Sequence, residues 1–171
     1  MKVNLSLKRL IRISVIACIY VVICLVTTQL SFGPIQVRLS ESLTMLSVFT
    51  PEAIVGVTIG CFLSNMLASA PIDIVIGTAA TLVSAVLTFH LRKIRLKKLA
   101  LIPSIPPVVI NAVVIGVELT LLYYPKSIRV SVVWMNILTV GLGQIISCSV
   151  VGVLLVFLIE KNPYFTKLLT E

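Results

Sequence analysis

The stretch QVRLSESLTMLSVFTPEAIVG, Gln36 to Gly56, sets Arg38 and Glu41 three residues apart between two long apolar runs. Whether it is a loop outside the membrane or a crossing of it decides the fold. Hydrophobic residues make up 58% of the 171-residue chain, charged residues 12%, and the mean hydropathy is +1.15. Those values lie far outside the soluble globular range and define an integral membrane protein. The net charge of +8 would fit nucleic acid in a soluble domain. Here the lysines and arginines stand at the ends of apolar segments, where membrane topology puts them, so no nucleic-acid partner is expected.

The first 32 residues begin with the charges of a signal peptide, but the apolar run from Ile11 to about Leu30 is too long and no small-residue cleavage site follows. They read as a retained first transmembrane helix. Apolar windows long enough to span about 30 Å of hydrocarbon at 1.5 Å per residue run over about 10–31, 52–69, 72–91, 101–124 and 131–159. Basic residues orient them: Lys2, Lys8, Arg9 and Arg12 precede the first window, five more lie between Arg92 and Lys98, and Lys161 and Lys167 follow the last. With three crossings between the N-terminus and Arg92, the two richest clusters would face opposite sides, against the positive-inside bias.

A further crossing resolves the conflict, and the opening stretch is its candidate. Over about 39–49 it is helical by pattern, with Leu39, Leu43 and Leu46 on one face and Arg38, Glu41, Ser42 and Met45 on another. The expected fold is therefore an all-α integral membrane protein, a compact bundle of six transmembrane helices in a single domain over 1–171, the second helix short. Both termini and the 92–98 loop are then cytoplasmic, leaving Arg38, Lys126 and Arg129 outside. About eleven α-helical residues reach only some 16 Å, so this helix would start below the outer surface, on the wall of a cavity. Arg38 and Glu41 would face water or a ligand there, because an unpaired charge in lipid costs at least about 2.5 to 3.5 kcal/mol. The other reading is an ordinary exposed loop with an Arg and Glu pair.

Thr50 and Pro51 form a helix start, hydroxyl cap then proline at the first helical position. Gly56, Gly60 and Ser64 follow at four-residue spacing, a small-residue stripe for a close neighbour, either within the bundle or on a partner chain. ASAPID, Ala68 to Asp73, reads as a tight outer turn, and Gly77, Thr81 and Ala85 continue the small residues. In the 101–124 window Asn111 and Glu118, seven apart, share one face. A carboxylate within an apolar helix marks function, and here it either binds a ligand or partners Arg38. Trp134, Tyr123 and Tyr124 flank the last outer loop, as pocket walls or as an aromatic belt at the headgroups. Asn136, Gly141, Gly143, Gln144 and Gly152 give the last helix polar contacts and close packing.

Cys18, Cys24, Cys61 and Cys148 lie in apolar segments without CxxC spacing, and His90 closes an apolar run before the basic cluster, so neither a disulfide framework nor a metal site is expected. The sequence carries no phosphate loop, HExxH or GxSxG, and no enzyme is read from it.

Three segments in order, VRLSESLTMLSVFTPEAIVGVTIGCFLSN (Val37–Asn65), DIVIGTAATLVSA (Asp73–Ala85) and PPVVINAVVIGVEL (Pro106–Leu119), resemble the queuosine-precursor transporter family. That family is a branch of the substrate-binding S components of energy-coupling factor vitamin transporters. The resemblance implies a six-helix protein of the bacterial cell membrane that captures a nucleobase-like nutrient. A transmembrane coupling subunit and two cytoplasmic ATPases would supply the energy, with no cofactor in this chain. S components tend to carry Ala-x-x-x-Ala on the first helix for docking. Here Ala17 is followed at that spacing by Val21, and Ser14 and Cys18 are the nearest small pair. The expected docking residues are Ser14, Ala17 and Cys18 with Gly56, Gly60 and Ser64.

A 7-deazaguanine presents two adjacent N–H donors that a carboxylate accepts in bidentate fashion, and a carbonyl that Asn, Gln or Arg satisfies. Glu118 or Glu41 suits the first task; Asn111, Gln36 or Arg38 suits the second. Trp134 is a stacking partner, and Asn136 is placed with them as a further polar contact. An aminomethyl substituent would give the second carboxylate a cation. Two rival readings are an S component for another vitamin-like molecule and a small oligomeric channel or structural membrane protein.

Overall fold

The computed structural model describes residues 7–28, 37–123 and 129–170. The end of the expected first helix, Gln36 and Tyr124 lie outside them. The described residues are helical throughout the bundle: α1 (Leu7–Val26), a 3₁₀ helix (Leu39–Val48), α2 (Glu52–Ala68), α3 (Pro71–His90), α4 (Ile105–Tyr123), α5 (Val130–Gln144), α6 (Val153–Lys161) and α7 (Pro163–Thr170). A π-helical segment, Ile145–Gly152, joins α5 to α6 in one 32-residue apolar span. Four segments are long and apolar enough to cross a membrane: Leu7–Val26, Pro71–His90, Ile102–Tyr123 and Val130–Lys161. α2, at 17 residues, is a shorter apolar helix.

The opening stretch lies inside the bundle. Every residue from Ser40 to Val48 is buried, so the loop reading fails and so does a helix with a wet face. The two-faced pattern instead feeds two cores. Leu43 and Leu46 pack with Ile16, Tyr20, Ala53, Val57 and Ala85, while Met45 and Val48 pack with Ala100, Val153 and Val156. A 3₁₀ helix rises about 2.0 Å per residue against 1.5 for an α-helix, so ten residues cover about 20 Å rather than 15. That extra reach lets a short segment join two ends of the bundle.

Those ends follow from the contacts. Arg9 at the start of α1 pairs with Glu52 at the start of α2 at 3.1 Å, and Arg95 pairs with Glu160 near the end of α6 at 2.8 Å. The starts of α1 and α2, the 92–98 loop and the end of α6 therefore share one strongly basic end. The start of α3 and the end of α4 lie at the other, where Arg38 enters the 3₁₀ helix. Thr50 departs from the expected cap: its hydroxyl donates to the Glu52 carboxylate, and no side chain caps α2.

The Gly56 and Gly60 stripe is occupied within the chain. A Cβ at 56 would stand 2.9 Å from the Ile16 side chain, and one at 60 would stand 2.7 Å from Tyr20 Cβ. Ser64 is buried and donates to Gly60 O at 2.8 Å. α1 and α2 thus meet along their backbones, and Ala17 is buried in the same contact region. Of the residues expected to dock a partner, Ser14 and Cys18 face outward.

Gly116 has a similar task between α4 and α5, where a Cβ would come within 2.7 Å of Ile137 Cα and 2.8 Å of Ile137 N. Backbone cannot yield as a side chain can, so Gly116→Ala should cost about 1–3 kcal/mol through overpacking. Gly141 is the control: its Cβ would meet only Ala112 Cβ at 3.4 Å. Gly141→Ala should be neutral or stabilise by up to about 1 kcal/mol through helix propensity. Thermal unfolding of both variants in detergent checks the contrast, and equal shifts would contradict it.

Candidate functional site

Three charged side chains converge at the less basic end. Arg38, just before the 3₁₀ helix, is 5% exposed, and its Nη2 donates to Asp73 Oδ2 at 2.6 Å. Asp73 lies in the first turn of α3, where the helix dipole favours an anion. Its surroundings hold it there: Ser69 Oγ donates to Oδ2, and Asn65 Nδ2 donates to the Asp73 backbone carbonyl at 3.0 Å. Gly77, one turn on, leaves the space the carboxylate occupies. A Cβ there would collide with Asp73 Oδ1 and stand 2.9 Å from Asn65 Nδ2.

Glu118 of α4 completes the group. It lines one cleft with Arg38 and Asp73, walled by Ile115, Leu119 and Leu122. The cleft encloses about 80 Å³, and about 420 Å³ counting its open mouth. Glu118 is 3% exposed, and neither of its carboxylate oxygens accepts a hydrogen bond from the described residues. Asp73 Oδ1 is in the same state. One guanidinium and two carboxylates give the cleft a formal charge of −1, with acceptors waiting for donors. Leaving such buried acceptors unmet costs about 1–3 kcal/mol each, more when charged. The arrangement suits a ligand rich in N–H groups.

The other expected site residues are distributed differently. Glu41 is fully buried and closed off: Tyr20 Oη donates to it at 2.6 Å, Thr81 Oγ1 at 2.8 Å and Thr44 Oγ1 at 3.1 Å. It ties α1, the 3₁₀ helix and α3 together and does not line the cleft. Cys148 of the π segment adds a contact from its thiol to Glu41 O at 3.4 Å. Asn111 is buried with its Oδ1 unpartnered among the described residues, about 10 Å before Glu118 along α4. Asn136 donates from Nδ2 to Thr120 Oγ1 at 2.9 Å, a bond between α5 and α4. Trp134 of α5 is 60% exposed and does not line the cleft. Gln36 lies outside the described residues.

Asp73 is the residue that sequence reasoning misses, because ASAPID reads as a turn. A signal was present: the chain has six acidic residues, and a buried Arg38 needs one of them at its own depth. Asp73 stands two residues into α3, at the level where α4 carries Glu118.

An all-helical bundle with four long apolar spans and a charged cleft sunk into one end defines a multi-pass membrane protein. Residues 10–161 match the family described as QueT transporter, and the chain belongs to that family. That family is one of transporters. A relative from Lactococcus lactis subsp. cremoris (strain MG1363), "Queuosine precursor transporter QueT", is 37% identical over 76 residues. That match covers 43% of this chain and 45% of the relative's length. No solved structure matches the chain.

Proposed function

We propose that this chain is the substrate-binding subunit of an energy-coupling factor importer and takes up a queuosine precursor, a 7-deazaguanine base. The observation that carries the reading is Glu118, a buried carboxylate with both oxygens unpartnered among the described residues, beside Arg38 and Asp73. Its two oxygens suit the adjacent N–H groups on the pyrimidine edge, and Arg38 suits the carbonyl. The formal charge of −1 favours a base bearing a protonated aminomethyl group, with Asp73 as the counter-ion. The relative's name supports the substrate class.

Six crossings are proposed, the 3₁₀ helix serving as the short second one, with the cleft facing out and the basic end in the cytoplasm. The positive-inside bias supports that orientation: Lys8, Arg9, Arg12, the 92–98 cluster, Lys161 and Lys167 gather at one end. A transmembrane coupling subunit and two ATPases complete the importer, because the sequence holds no phosphate loop. Ser14 and Cys18 on the outward face of α1 are the proposed docking positions.

Purification followed by mass spectrometry of the retained small molecule tests the substrate, and an unrelated vitamin would overturn it. Cells lacking the ATPases should bind the base without accumulating it, and Ser127→Cys in them should label from outside. Undiminished accumulation would make the chain an autonomous carrier.

A further inference from the structure

A second cleft opens at the basic end, the length of the bundle away from Arg38. It holds about 390 Å³ and is lined by Lys8, Ile11 and Arg12 of α1 and by Tyr164, Lys167 and Leu168 of α7. The chain leaves α6 at Asn162, whose backbone is extended (φ −109°, ψ 107°). Asn162 Oδ1 then accepts from Tyr164 N at 3.0 Å, which starts α7 on a new course. Leu169 anchors α7 by packing on the core around Ile16 and Tyr20. Tyr164, Phe165 and Leu168 remain 70%, 49% and 55% exposed. A short helix with apolar side chains outward and a lysine among them has the character of an element lying in a membrane interface.

The cleft's chemistry narrows its occupant. Its lining holds Lys8, Arg12 and Lys167, the last already partnered, and no carboxylate among the described residues. Arg9 beside them is bound to Glu52 at 3.1 Å. A soluble anion would use the cations and leave Ile11, Leu168 and the Tyr164 ring without a partner. A zwitterionic lipid would use the apolar walls but bring no net negative charge to the cations. We propose that this cleft binds one anionic phospholipid of the leaflet at the basic end. Its phosphate lies against Lys8 and Arg12, and its first acyl methylenes lie against Ile11, Leu168 and Tyr164.

Juxtamembrane cations attract anionic lipid by an amount equivalent to about fivefold in affinity each. The test is native mass spectrometry of the full chain in neutral detergent, titrated with phosphatidylglycerol or phosphatidylcholine. Phosphatidylglycerol should bind in preference at one per chain. Lys8→Gln with Arg12→Gln should weaken it about 25-fold while leaving phosphatidylcholine unchanged. Lys8→Gln alone alters an exposed side chain and should weaken it about fivefold even if the double variant folds poorly. Equal binding of the two lipids, an unchanged affinity in Lys8→Gln, or full displacement by millimolar inorganic phosphate would overturn the proposal. Cross-links from Lys8 to a membrane protein partner in place of lipid would do the same.

Discussion

Glu118→Gln is expected to weaken ligand binding by roughly 30-fold to 1000-fold, about 2–4 kcal/mol, while leaving the fold intact. Glutamine keeps the volume but replaces one acceptor oxygen with an NH₂ that faces the ligand's own donors. The loss combines a broken charge-assisted hydrogen bond with donors left buried and unmet. The fold should survive because neither carboxylate oxygen of Glu118 accepts a hydrogen bond from the described residues. Removing a buried negative charge from a cleft that also holds Asp73 would even relieve repulsion. Calorimetry with the 7-deazaguanine base on purified protein makes the measurement. Binding within about threefold of the parent, less than about 0.7 kcal/mol, would remove Glu118 from the ligand's contacts. Lost binding together with a lowered unfolding temperature would instead give it a structural role.

Arg38→Met should do the opposite, damaging the fold before binding can be read. Arg38 and Asp73 are 5% and 4% exposed and joined at 2.6 Å. Taking the guanidinium away leaves the Asp73 and Glu118 carboxylates sharing a buried cleft without that cation. Breaking one side of such a pair costs about 3–5 kcal/mol, most of it the penalty of the stranded charge. Asp73→Asn added to Arg38→Met should therefore recover part of the loss, since the amide removes the charge and still offers an oxygen to Ser69. Unfolding in detergent of the parent, the single variant and the double variant checks this. A single variant within about 1 kcal/mol of the parent, or a double variant worse than the single, would mean that the pair does not hold the 3₁₀ helix to α3.

The two variants separate roles that the sequence left joined. From the sequence, Glu118 is either a ligand contact or the partner of Arg38. In the structure Asp73 takes Nη2 of Arg38, which leaves Glu118 open to the cleft. That division depends on the rotation of α3 and α4 about their axes, and an apolar helix carries little in its sequence to set it.

The sequence by itself determined the class of the protein and most of its helices, because hydropathy over a 20-residue window is a local property that hydrocarbon thickness translates directly into a span. It also picked out Glu118, since a lone carboxylate in an apolar run stands out without any knowledge of neighbours. The need for another element between α1 and α2 was legible too, from the distribution of lysines and arginines. The tertiary structure decided what that element is. Leu39–Val48 carries Ser40, Glu41, Ser42, Thr44 and Ser47 into the centre of the bundle, which no hydropathy pattern anticipates. The Glu41 carboxylate is tolerable there because specific hydroxyls reach it, those of Tyr20, Thr44 and Thr81. Tyr20 and Thr81 lie 21 and 40 residues from it along the chain. Likewise Gly56 and Gly60 announced a close neighbour, but only packing determined that the neighbour is α1. A buried polar or small residue states what it needs in its own chemistry, whereas the partner that meets the need is chosen by the relative placement of distant helices.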